Sequence, residues 1–94
     1  MKFAKTIKVL GEVYKVSLVE GLIESEQAEG LCCPNSYTIS IDSSLVDSPR
    51  AFLKCYWHEV GHAFAFESGL HDSLSPQACE MFAQAFSNFI CKLK

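Results

Sequence analysis

Apolar and polar positions alternate through the first half of the chain and recur at helical spacing through the second. Thr6–Leu10 and Val13–Val19 alternate in part and carry β-branched residues, with Gly11-Glu12 between them, a pattern that predicts a β-hairpin. Glu20–Gly30 is polar and acidic and reads as a loop or a short helical turn. Leu31–Cys33 and Tyr37–Ile41 predict two further short strands around the turn signal Pro34-Asn35-Ser36. In the second of these, Tyr37, Ile39 and Ile41 alternate with Thr38, Ser40 and Asp42, as a strand with one buried face requires.

Two helices follow, each with a marked start. Ser48-Pro49 offers an N-cap residue with proline at the first helical position, and the helix should run to about Glu67, with Gly69 ending it. On a helical wheel Leu53, Trp57, Val60 and Phe64 share a face expected to be core, with His58 and His62 together about 120–160° away. Gly61 lies on the flank between them, where it permits close approach of another backbone. Ser75-Pro76 repeats the start signal for a helix from Pro76 to about Lys92, in which Met81, Phe82, Ala85, Phe86, Phe89 and Leu93 give a broad apolar face. The expected fold is α+β: one domain over residues 1–94, with a sheet half (1–47) and a helical half (48–94). A short antiparallel sheet packs on the first long helix.

Composition narrows the function classes. The chain has 94 residues, 49% of them hydrophobic, enough for one modest core and too many for disorder. Its net charge is -3, without a basic run, which argues against nucleic-acid partners and against anionic membranes. No apolar stretch approaches the ~20 residues of a membrane span. Met1–Leu10 is interrupted by Lys2, Lys5 and Lys8 and has no cleavable apolar core, so no signal peptide is expected. The 5 cysteines (Cys32, Cys33, Cys55, Cys79 and Cys91) are odd in number, and reduced thiols in a cytoplasm are the natural expectation. Most should be small buried apolar residues, with Cys55 or Cys79 the candidates to lie near a metal.

The residues that carry chemistry are His58-Glu59-Val60-Gly61-His62, an HExxH pattern. Histidines four apart on a helix can both reach one metal ion, and the intervening glutamate lies where it can take a proton from water. A catalytic zinc needs a third protein ligand. A histidine six residues beyond His62 would mark a metzincin, but that position is Ser68. Glu80, early in the second helix, is the leading candidate, although on an ideal wheel it falls with Gln84, Ser87 and Cys91, away from the centre of the apolar face. His71 and Asp72 in the connecting loop compete with it, and Glu67 points away from the histidine pair. Candidates to stabilise an oxyanion are Tyr37, Tyr56 and His71, with Tyr56 more readily read as a packing residue.

Trp57-His58-Glu59-Val60-Gly61-His62-Ala63-Phe64, Glu67-Ser68-Gly69-Leu70 and Ala78-Cys79-Glu80 together resemble small phage and bacterial HExxH proteins related to the ImmA/IrrE-type metallopeptidases and the minigluzincins. Gly30-Leu31-Cys32 followed by Ile39-Ser40-Ile41-Asp42 is also similar to that group. The resemblance implies a minimal zincin that hydrolyses peptide bonds, with Zn2+ bound by His58, His62 and Glu80 and with Glu59 as general base. It also implies a peptide or protein substrate, a host protein among the possibilities, in the cytoplasm. Many relatives have an aliphatic residue where this chain has Trp57. The strand Tyr37–Ile41 is the expected rim along which an extended peptide adds. The competing expectation is a catalytically weak or silent zinc-binding domain that acts by binding a partner protein.

Overall fold

In the computed structural model, residues 3–93 are described. Met1, Lys2 and Lys94 lie outside them, and with them the first residues of the segment read for a signal sequence. The chain runs β1 (Thr6–Val9), β2 (Glu12–Val19), α1 (Leu22–Glu26), β3 (Gly30–Cys33), β4 (Thr38–Asp42), α2 (Pro49–Glu67) and α3 (Pro76–Lys92), with short 3₁₀ turns between several of them. The class is α+β, as expected.

The four strands form one sheet in the order β1-β2-β4-β3. β1 and β2 make the predicted hairpin, but its turn is Leu10-Gly11, one residue earlier than expected. Both turn residues have positive φ, 48° and 92°, which matches the right-handed twist of the flanking strands. β3 pairs antiparallel with β4, whereas β2 and β4 run parallel, so the sheet is mixed rather than the antiparallel one expected. A parallel pair needs a crossover, and the acidic stretch after β2 supplies it, carrying α1 and β3 on the way. Asp42 fastens this crossover. Its carboxylate accepts from Ile23 N at 2.7 Å and from Ser44 N at 2.9 Å. Those backbone donors, Ile23 foremost, hold its pKa below the ordinary value.

Ile39 and Ile41 of β4 and Tyr14 and Val16 of β2 are buried against α2, as the alternation predicts. Tyr37 falls outside the strand, at φ 54°, and is half exposed. α2 begins as its sequence indicates, with Ser48 Oγ accepting from Ala51 N and Pro49 in the first turn. Its sheet-facing side is Phe52, Tyr56, Val60 and Ala63. Leu53, Trp57 and Phe64, expected at the centre of the core, are only partly buried. The reason is that α2 is covered twice, by the sheet on one side and by α3 on another. A helix enclosed this way has no single apolar stripe for periodicity to find.

The correction for α3 is larger. Its buried residues are Cys79, Ala83 and Ser87, while Met81, Phe89 and Leu93 are 67%, 63% and 67% exposed. The packed face is turned about a quarter of a rotation from the apolar face that the sequence suggests. Small residues decide this. A Cβ on Gly61 would lie 3.1 Å from Ala83 Cα and 3.2 Å from the Phe86 side chain, so the two helix backbones meet where Gly61 leaves room. Ser87 then donates to the Lys54 carbonyl oxygen at 2.8 Å across the same seam.

Candidate metal centre

The rotation of α3 brings Glu80 to the histidines. His58 and His62 stand one turn apart on α2, their ring centroids 5.0 Å apart. Ser75 caps α3 by accepting from Ala78 N, which sets Glu80 in the second turn, level with the histidine pair. The Nε2 atoms of His58 and His62 each donate to a different oxygen of the one carboxylate, at 3.0 Å to Oε2 and 2.9 Å to Oε1. A ligand atom from each of the three residues lies within 4.8 Å of the others, a group able to hold a metal ion. The wheel argument against Glu80 fails because Ser87, its neighbour on the wheel, is itself fully buried against α2.

Two imidazole nitrogens and a carboxylate are a donor set that divalent transition metals accept, zinc among them, and tetrahedral zinc ligands at ~2.0–2.1 Å stand about 3.3 Å apart. The two nitrogen-to-carboxylate separations of 2.9–3.0 Å come near that spacing, and all three donors lie within 4.8 Å of one another. Burial is uneven. The two histidine side chains are 18% and 19% exposed and that of Glu80 is 64% exposed, so the group opens to solvent on the α3 side. Burial lowers the pKa of His62 against the opposing pull of Glu80, which favours the neutral imidazole that binds metals.

Glu59 lies deeper, 6% exposed, between the histidines and the sheet. Burial, and secondarily the charge of Glu80, raises its carboxyl to about 7. β3 closes over it at Gly30, where a Cβ would fall 2.6 Å from Cys55 Sγ and 3.0 Å from Glu59 Cγ. A cavity of about 340 Å³ lies on the His58 side of the group, bordered by Ala28, Gly30 and Lys54. Another of about 270 Å³ lies on the His62 side, bordered by Cys32, Pro34 and His71. Glu59, Glu80 and Gly30 line both, so an open cleft crosses the three-residue group beneath β3.

The other sequence candidates separate cleanly. His71 borders the cleft but is not among the grouped donors, and the Asp72 side chain is 91% exposed beside it. Glu67 points to the sheet, where Tyr14, fully buried, donates its hydroxyl to Oε2 at 2.6 Å. Tyr56 is buried between Phe52 and Trp57, and Tyr37 packs edge-on against Tyr14. Cys55 borders the cleft, whereas Cys79 is buried within α3's packed face. Cys32, which the sequence did not single out, borders it too. Burial and then the charge of Glu59 push the thiols of both Cys32 and Cys55 up to about 12, so neither is a ready thiolate. The rim also needs correction. β4 is flanked by β2 and β3, and the strand with a free edge beside the cleft is β3. Gly30 was the signal available for this, since a glycine inside a strand marks a close backbone approach.

Comparison with protein-family models, curated proteins and solved structures finds no match for this chain.

Proposed function

We propose that the chain is a zinc-dependent metallopeptidase-like hydrolase of the cytoplasm. The observation that carries this is the convergence of His58, His62 and both oxygens of Glu80, with a buried glutamate, Glu59, at its side. His58, His62 and Glu80 would hold the ion. Zinc in such a site supplies Lewis acidity, polarising a carbonyl and acidifying water. Glu59, with its carboxyl raised to about 7, suits the transfer of a proton from water to a leaving amine near neutral pH.

The free edge of β3 can take an extended peptide as a fifth strand, its backbone bonding to groups that β4 leaves unpaired. A peptide laid there runs alongside Gly30 and Cys32, over the histidines, and His71 stands on the far side as the donor to an oxyanion. The 5 cysteines are unpaired, in keeping with a reducing compartment. No helix among the described residues is long and apolar enough to cross a membrane.

The test is metal analysis together with peptide cleavage by the wild type and by Glu59→Gln. The proposal expects about one zinc per chain in both proteins, and cleavage by the wild type alone. One observation favours a second reading. Met81, Phe89 and Leu93 form an exposed apolar ridge on α3, as a domain that acts by binding a partner protein would carry. Zinc in both proteins, cleavage by neither and a partner still captured by Glu59→Gln would establish that reading instead.

A further inference from the structure

α2 and α3 touch at Gly61 and part toward the start of α2 and the end of α3. Beyond the bond from Ser87 to the Lys54 carbonyl they enclose a cavity of about 410 Å³, within the size range of small-molecule sites. Leu53, Trp57 and Cys91 are each partly buried and make its floor. Arg50, Lys54 and Lys92 are exposed and stand on its rim, and no carboxylate lines it. The chain has 8 basic residues against 11 acidic ones, so three cations around one apolar floor are a local reversal of its charge. Among the described residues, none of the three is engaged in an ion pair. The dipoles of the two helix ends that meet here have opposite sign, so the side chains set the charge of the cavity.

We propose that this cavity binds a small amphipathic anion: an apolar body ended by a carboxylate. The body lies on Leu53 and Trp57. The carboxylate meets the forked guanidinium of Arg50, with Lys92 closing the rim. Arg50 can bind a carboxylate through two parallel hydrogen bonds, a geometry a lysine cannot supply. The site does not depend on the hydrolase reading. Lys54 also borders the cleft beside His58, and for that reason the test leaves it unchanged.

Trp57 is the sole tryptophan and lines both this cavity and another against β1, so its emission reports binding and the Arg50 and Lys92 variants assign that binding to this cavity. The protein is titrated with decanoate below its micellar range, with decylamine over the same range, and with inorganic phosphate as competitor. The expected result is a saturable change with decanoate, none with decylamine, and no displacement by equimolar phosphate. In Arg50→Gln/Lys92→Gln the decanoate dissociation constant should rise about tenfold, for loss of two charge-assisted contacts. Lys92→Gln alone, at the last residue of α3, should give a smaller rise and guards against a double variant that does not fold. A silent decanoate titration overturns the site. An equal response to decylamine, or unchanged affinity in the folded variants, overturns its preference for anions. Displacement by phosphate at matched concentration overturns the need for an apolar body.

Discussion

The two long helices use their apolar residues in opposite ways. α2 is covered by the sheet and by α3, and even its glutamate at position 59 is buried. α3 is covered on one side only and leaves Met81, Phe89 and Leu93 in solvent. Yet α3 has the more regular apolar pattern. The difference teaches that periodicity shows that a helix has an apolar face without showing which neighbour it meets. Here the smallest residues and two polar contacts chose the seam: Gly61 against Ala83, Ser87 to the Lys54 carbonyl, and Glu80 to the histidines. The His58, His62 and Glu80 group lies on that seam, and the buried Glu59 lies on the other side of α2, against β3.

Separate substitutions should therefore break the two sides of α2 separately. The largest effect is expected from Gly61→Ala. Its new Cβ meets Ala83 Cα at 3.1 Å, and backbone cannot swing aside, so the helices must separate. Thermal or urea unfolding should show a net loss of about 2 kcal/mol, overpacking of about 3 offset by about 1 from alanine's better helix propensity. Zinc titration should show weaker binding, because Glu80 moves away from the histidines.

Gly30→Ala strikes the opposite side. Its Cβ meets Cys55 Sγ at 2.6 Å and Glu59 Cγ at 3.0 Å, side-chain atoms that can give way. A stability loss of about 1–2 kcal/mol is expected. Zinc content should stay intact while any cleavage that depends on Glu59 falls. Adding Cys55→Ala removes the closer obstacle, and activity should partly return. If Gly30→Ala lost zinc as readily as Gly61→Ala, the two sides of α2 would not be separable.

Tyr14→Phe sharpens the contrast at the far end of α2. It takes the hydroxyl from Glu67 and leaves the three-residue group untouched. Denaturant unfolding should show a loss of about 1 kcal/mol, with zinc affinity unchanged. The smallest effect belongs to the crossover. The pKa of Asp42 is lowered in the folded state, so the unfolded chain takes up its proton first. Its contribution to stability is complete above the unfolded value of ~3.9 and is lost as pH falls through the folded value. Below about pH 4 the wild type should therefore lose melting temperature faster than Asp42→Asn.

Much of this was legible in the residues. The helix starts at Ser48-Pro49 and Ser75-Pro76, the buried alternation of Ile39 and Ile41, and the role of Gly61 all follow from local chemistry that tertiary structure does not override. The group His58, His62 and Glu80 was legible by type and spacing. Its geometry was not, because the wheel places Glu80 relative to α3's own apolar residues and says nothing of where α2 lies. The rim strand was misplaced for a related reason. Strand order depends on how the crossover folds, and nothing in the pattern of Tyr37–Ile41 distinguishes a central strand from an edge.

The separation between partners along the chain gives the group of His58, His62 and Glu80 a place in the order of assembly. Glu80 lies 22 residues from His58 and 18 from His62, whereas the Tyr14–Glu67 bond spans 53. Short loops close at lower entropic cost, so contacts within the α2–α3 hairpin can form before those that join it to the sheet. His58, His62 and Glu80 belong wholly to that hairpin, while the cover over Glu59 arrives with β3. A chain in which only the helices have paired would already present His58, His62 and Glu80 together but would still have Glu59 in water. On the proposed function, capture of an ion and tuning of Glu59 would be successive events in the maturation of one site.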